Sequence, residues 1–301
     1  MKKITLPKTI FGENTSEAYK RIISAKDNEI PEGDKNIQDI PPANISDLKN
    51  WIILPGKSHG NYSYPEMLIS SARVLYDANE PRFSEVAQKI GISLQNSSTD
   101  SMGREFIGNI NWEQSMKLNL SLGHQNISIR MFADFLEHLR KGFTEKNYFV
   151  HDGDGHKINT NFLSSVYEDM VKVQNPYRAE WLDADFKYEG EKLFIEYNHR
   201  LDANGNLIAG RKEELSSDWL DEDKIPGINL EKWLKDANVH GLPKTNAGTG
   251  DLYYWCPDRD NNSVAGFSAN SGRADLDCVR DRSGSIAGLG VRAAQQRHVA
   301  P

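Results

Sequence analysis

Asp183 and Asp185 lie two residues apart, as do Glu189 and Glu191, a spacing that sets side chains on one face of a β-strand. Two carboxylates so placed could share acid and base work in a hydrolase. His151, His156 and His199 could act as general bases, but none stands beside a nucleophile motif and no G-x-S-x-G occurs. The plainer expectation is a solvated strand edge for the carboxylates and surface or hydrogen-bonded histidines. Gly288-Leu289-Gly290-Val291-Arg292-Ala293 has the letters of a dinucleotide fingerprint, but that motif must open a helix inside a βαβ unit, and only eight residues follow Ala293. Asp152-Gly153-Asp154-Gly155 begins like a calcium loop. His156 and Lys157 then occupy positions where an EF-hand needs an oxygen ligand and a glycine, so a simple turn is expected. Cys256 and Cys278 are the only cysteines, too few for a disulfide scaffold and wrongly spaced for zinc. No catalytic group, cofactor or metal ion is expected.

The sharper chemical signal is an absence. From Asp251 to Ala294 the chain holds six Asp and five Arg but no Lys or Glu, although the whole sequence has 21 Lys and 20 Glu. Average usage would place about six in such a stretch. Gln and Met are missing as well. Charge is therefore tolerated here while particular codons are not, which suggests a rule acting on the coding sequence.

The 301 residues are 38% hydrophobic, enough for a substantial core, and no apolar run approaches the roughly 18 residues of a membrane span. The start, Met1-Lys2-Lys3-Ile4-Thr5-Leu6-Pro7, has no hydrophobic stretch of signal-peptide length. A soluble protein without membrane insertion is expected. The net charge of -7 argues against nonspecific nucleic-acid attachment, which needs a basic surface.

Several elements must position these residues. Residues 1–48 are polar, interrupted by Pro31, Pro41 and Pro42, and read as an arm or linker in which only Ser16 to Ala25 resembles a helix. Residues 49–301 read as one domain. Order begins at Trp51-Ile52-Ile53-Leu54, and Pro65 is expected to open a helix with Leu68, Ile69, Ala72, Leu75 and Tyr76 on one face. Ser128 should cap a second helix presenting Ile129, Phe132, Phe135, Leu136 and Leu139. A third is expected from about Asn161 to Val173. Lys192 to Arg200 and Asn206 to Ala209 read as a hairpin around Asp202-Ala203-Asn204-Gly205. Trp181, Trp219, Trp233 and Trp255 are expected to fill space beneath irregular loops. Asn175-Pro176-Tyr177-Arg178-Ala179-Glu180-Trp181-Leu182-Asp183-Ala184 reads as a loop entering a strand, with Arg178 pairing Glu180 or Asp183. In the tail, Phe267, Ala269 and Ser271, then Ala274, Leu276 and Cys278, share one side of two strands joined near Gly272. Ser268, Asn270, Asp275, Asp277 and Val279 share the other. Asp281 to Gly288 reads as a loop and Leu289 to Ala294 as a closing strand. Helices first and short antiparallel strands later imply an α+β fold.

The run Val264-Ala265-x-Phe267-x-Ala269-x-Ser271-x-x-Ala274-x-Leu276-x-Cys278, followed by Ser285-x-x-x-Leu289-Gly290-Val291-Arg292-x-Ala294, resembles the variable region of diversity-generating retroelement target proteins. The segment Asn175 to Ala184 and the strand ending Tyr197-Asn198-His199-Arg200 resemble the family's archaeal-virus branch, so the likeness spans roughly residues 50–294. The resemblance implies a C-type-lectin-like fold, helices packed on short antiparallel strands, with a variable ligand-binding region at about 251–294. In that family an error-prone reverse transcriptase mutates template adenines. AAC codons so altered never yield Lys, Glu, Gln, Met or Trp, and apart from Trp255 none of these occurs from Asp251 to Ala294.

Positions between the family's fixed residues then become candidate ligand contacts: Cys256, Asp258, Gly266, Ser268, Gly272, Arg273, Asp275, Asp277, Val279, Arg280, Asp281, Gly284, Ile286 and Gly288. Val264, Phe267, Ala269, Ala274, Leu276, Leu289 and Val291 are expected to form one fixed apolar face beneath them. Arg282 departs from the family, which often has Pro there, and the calcium-binding tripeptides of sugar-binding C-type lectins are absent. The resemblance implies a non-catalytic recognition protein on a virion or cell surface, contacting a protein or other macromolecular ligand of a host or neighbouring cell. The competing expectation is an oxidase of the formylglycine-generating type, which shares the fold and would use Cys256 and Cys278.

Overall fold

The structure, a computed structural model, describes residues 9–10, 13–14 and 47–297, apart from 76–80, 94–96, 176, 216 and 271. Backbone contacts divide the chain into Met1–Asp39 and Ile40–Pro301. In the first unit Thr9–Ile10 pairs antiparallel with Glu13–Asn14. The helix expected over Ser16 to Ala25, and the places of Tyr76 and Ser271, lie outside the described residues.

The second unit is α+β, built on a ten-stranded mixed sheet. Its strands are β1 (Trp51–Leu54), β2 (Met67–Arg73), β3 (Ala179–Glu189), β4 (Lys192–Tyr197), β5 (Arg211–Glu214), β6 (Lys224–Ile228), β7 (Leu252–Trp255), β8 (Ser263–Asn270), β9 (Arg273–Arg280) and β10 (Leu289–Gln296). They run in the order β6-β7-β9-β8-β3-β10-β2-β1, with β4 beside the far end of β3 and β5 beyond it. The β7–β9 and β3–β10 pairs are parallel and the others antiparallel. Among the described residues five α-helices flank the sheet: α1 (Pro81–Lys89), α2 (Trp112–Ser121), α3 (Ile129–Thr144), α4 (Thr160–Val171) and α5 (Leu230–Asp236).

Two apolar cores flank the sheet. On one side α3, α4 and α5 bring Phe132, Phe135, Leu136, Leu163 and Trp233 against Leu182, Phe267 and Leu276. On the other, α1 and α2 bring Phe83, Trp112 and Met116 against Trp181, Val264, Leu289 and Val291. The expected Ser128 cap is present, its hydroxyl accepting from the Met131 amide at the start of α3, and the Asn159 side chain likewise accepts from the Phe162 amide at the start of α4. Among the described residues no helix is long and apolar enough to cross a membrane.

Several expectations change. The segment after Pro65 is strand β2 rather than a helix, because it pairs with β1 and β10 and is buried on both sides, which erases any period. The expected hairpin is smaller: Arg200–Leu201 pairs with Leu207–Ile208, while Lys192–Tyr197 pairs instead with β3 and β5. Asp183 and Asp185 are not on a solvated edge. They sit on the central strand, 3% and 1% exposed, whereas Glu189 and Glu191 are exposed at its end. Trp181 likewise belongs to that strand, with its indole N–H donated to the Ile110 carbonyl. Arg178 pairs with Asp169 at 2.9 Å, not with Glu180 or Asp183, because Glu180 already binds Arg292 through both carboxylate oxygens.

These ions form a buried network. Arg73 reaches Asp169 at 2.7 Å and Glu180 at 3.4 Å, and the guanidinium groups hold the Asp169 carboxyl down at about 2 against the opposing effect of burial. The network ties β2, α4, β3 and β10 together, so Arg292 is scaffold although it lies within the biased segment.

Candidate ligand-binding face

Register sorts the tail residues onto two sides. Leu252 and Tyr254 of β7 pair with Ala274 and Leu276 of β9, and Phe267 and Ala269 of β8 pair with the same two residues. These apolar groups point into the helical core, where Phe267 meets Phe132 at 4.7 Å and stacks on Trp233 at 6.1 Å between ring centroids. The opposite side carries Tyr253, Trp255, Asp275, Asp277, Gly266 and Ser268. Near β3 and β10 that side is sealed by α1 and α2. Towards β7 it is partly open, with Arg273, Asp275 and Asp277 half-buried and Val279 40% exposed.

A bulge alters the simple alternation. Val264 opposes Arg280 while Gly266 opposes Asp277, so β9 carries one extra residue there and Arg280 returns to the side of Asp277. The Arg280 side chain then lies across Gly266. Its guanidinium approaches Asp277 at 3.2 Å, donates to Ser268 Oγ at 3.3 Å and to Tyr177 Oη at 3.5 Å, and stands 5.9 Å from the Trp181 ring. The expected single apolar face is split by strand alternation itself, because Val264 and Phe267 are three residues apart: Phe267, Ala269, Ala274 and Leu276 face α3 to α5, whereas Val264, Leu289 and Val291 face α1 and α2.

Electrostatics distinguish the acidic residues. Burial and the neighbouring Asp277 charge push the Asp275 carboxyl up to about 7, while Arg280 and contacts with Trp255 and Ser268 pull the other way. Asp277 is also raised by burial, against the pull of Arg280. Among the described residues Asp275 Oδ1 has no hydrogen-bond partner. Arg273 stacks 5.1 Å from the Tyr253 ring centroid and donates to the Gly250 carbonyl.

The loop after β9 is anchored rather than loose. Asp281 accepts from the Ser283 amide and hydroxyl, the Asn109 amide donates to the Ile286 carbonyl, and the Trp112 amide donates to the Arg282 carbonyl. Arg282 reaches inward to Asp185 and lies 4.7 Å from the Trp112 ring. Between these anchors Asp281, Ser285 and Ile286 are exposed and Gly284 is half-buried.

Of the fourteen candidate positions, Arg273, Asp275, Asp277, Val279 and Arg280 share the partly open side, with Asp281, Gly284 and Ile286 following in the loop. Gly272 stands at the other end of β9 in a turn with φ of 94°, exposed, with no heavy atom near its Cβ direction. Asp258 lies in a separate turn, where it accepts from the Asp260 amide and the Asn261 side chain. Four positions are not outward. Cys256 packs against the helical core. Ser268 is 1% exposed. Gly266 lies under Arg280, and a Cβ on Gly288 would stand 1.9 Å from the Tyr177 carbonyl oxygen. Tyr253 and Trp255 were not among the candidates, although the alternation of Leu252-Tyr253-Tyr254-Trp255 signals a strand with both aromatics on one side.

Both thiols are poor nucleophiles. Burial and a contact with Asp223 push the Cys256 thiol up to about 12, and full burial raises Cys278 well above the ordinary thiol range. Both are free. Compared with protein-family models, curated proteins and solved structures, the chain matches none.

Proposed function

We propose that the partly open side of β7, β8 and β9, with the loop from Asp281 to Gly288, is a changeable ligand-binding face on a non-catalytic recognition protein. In this reading the α+β unit is a C-type-lectin-like scaffold whose tail is diversified by a retroelement. One coincidence carries the reading: the stretch without Lys, Glu, Gln or Met supplies strands whose one side is sealed into the core and whose other side is partly open. A mutational process confined to such positions alters contacts while leaving the apolar packing alone, since surface substitutions usually change stability little.

The face mixes Tyr253, Trp255, Arg273, Arg280 and paired carboxylates. Aromatic and Arg side chains provide most of the energy in many protein interfaces, and Asp adds polar specificity. The partner is a protein or other macromolecular surface of a host or neighbouring cell, met from a virion or cell surface. The oxidase alternative needs an accessible, activated thiol, and the raised, buried thiols weigh against it.

Sequencing many copies of the locus from its source population tests the proposal. The expected result is adenine-template substitution concentrated at Asp258, Arg273, Asp275, Asp277, Val279, Arg280, Asp281, Gly284 and Ile286, with an adjacent near-repeat and a reverse-transcriptase gene. Invariance at those positions without such a repeat or gene would sink it.

A further inference from the structure

On β3 and β4, at the base of the loop from Asp281 to Gly288, the paired residues Asp185 and Glu196 stand on the same side, and His199 follows β4. A ring nitrogen of His199 and one carboxylate oxygen from each acid lie within 4.8 Å of one another. All three line a hollow of about 250 Å³ that also takes in Lys187 and Arg282. Nothing in the recognition reading uses this group.

The arrangement has the features of a prepared metal centre rather than a chance cluster of acids. His199 is buried, its Nδ1 sits 2.5 Å from Asp183 Oδ1, and its amide donates to Asp183 Oδ2. An Nδ1–H donated to Asp183 leaves the Nε2 lone pair facing away from that carboxylate. Among the described residues Nε2 has no hydrogen bond. A buried carboxylate behind a histidine is the usual outer partner of a metal-binding imidazole. The acids are held similarly: Lys187 and Arg282 both engage Asp185 Oδ2, and Lys212 approaches Glu196 Oε1 at 3.4 Å. Each ligand is therefore oriented through one atom, while Asp185 Oδ1 and Glu196 Oε2 stay without a hydrogen bond among the described residues.

We propose that Asp185, Glu196 and His199 bind a divalent transition-metal ion, with Zn²⁺ as the probe. One imidazole and two carboxylates suit such an ion, and the hollow leaves room for water in the remaining positions. An ion about 2.1 Å from each ligand keeps the ligand atoms roughly 3.5 Å apart, so the three side chains need close on it by no more than about 1 Å. The nearby lysine and arginine charges oppose a dication and weaken its binding. Arg282 belongs to the biased tail, so the ion would also stiffen the base of the loop it anchors.

Zn²⁺ titration of the full chain by calorimetry, with melting curves alongside, tests the site. The expected result is saturable binding of one ion per chain and a melting point raised by several degrees at saturation. Glu196→Gln, at a half-buried position, should melt like the parent without metal yet bind more than about tenfold more weakly. The double variant Asp154→Asn, His156→Ala removes the other metal-competent cluster, Asp152, Asp154 and His156, and should bind like the parent. Absence of saturable binding overturns the proposal. So does binding that survives Glu196→Gln but disappears in the double variant.

Discussion

Replacing Asp275 by Asn should stabilise the protein, and only above acidic pH. The Asp275 carboxyl is displaced from 3.8 to about 7, chiefly by burial and then by the adjacent Asp277 charge. In the unfolded chain it ionises normally, so the folded state binds the extra proton between these two values. Its ionisation therefore costs nothing below pH 4, a penalty grows as pH rises, and the full cost is present above about pH 7. A displacement of roughly three pKa units corresponds to about 4 kcal/mol. Water at the partly open side screens the charge, so about 1–3 kcal/mol is expected. Asn keeps the shape and an acceptor oxygen while removing the charge. Urea unfolding of the parent and Asp275→Asn at pH 4 and pH 8 gives the answer. The variant should be more stable at pH 8 and nearly equal at pH 4. A pH-independent difference, or destabilisation at pH 8, would refute the reasoning that Asp275 is held at a stability cost.

Other consequences can be measured in the same unfolding assay. Gly288→Ala should cost about 2–4 kcal/mol because its Cβ would strike the Tyr177 backbone, whereas Gly272→Ala, strained only by its positive φ, should cost about 1 kcal/mol. Glu180→Gln leaves Arg292 and Arg73 short of buried negative charge and should cost about 3–5 kcal/mol. Val279→Asn and Ile286→Asn should each stay within about 0.5 kcal/mol of the parent, since both residues stand at the surface, 40% and 45% exposed.

Local signals carried α3, α4 and the alternation of the tail. Ser128 and the apolar stripe behind it announce α3, and the alternation of Arg273 to Cys278 announces β9 and its sealed side. The box formed by Asn111 and Gln114, each side chain satisfying the other's backbone amide, would have announced α2 from the N-x-x-Q spacing. Strand β2 was hidden because a strand covered on both sides loses the period of two. The bulge at β9 depends on its register with β8, which nothing within β9 records. That hidden register brings Arg280 over Gly266 and Ser268, which is why both read as outward, whereas the three-residue spacing of Val264 and Phe267 already put them on opposite sides. Asp185, Glu196 and His199 meet only through the pairing of β3 with β4 and the bend after it, so their spacing in the chain gave no warning. Gly288 read as replaceable for a similar reason, because the carbonyl that excludes a side chain comes from distant Tyr177.

The central claim is that folding leaves one side of the tail free to change and holds the other fixed. A surface-display scan from Asp251 to Ala294, sorting every single substitution for folded chains, measures this directly. Arg273, Asp277, Val279, Asp281 and Ile286 should accept nearly all residues, while Phe267, Ala274, Leu276, Leu289 and Val291 should accept only close apolar substitutes. Equal tolerance on both sides, or intolerance at the first group, would contradict the account.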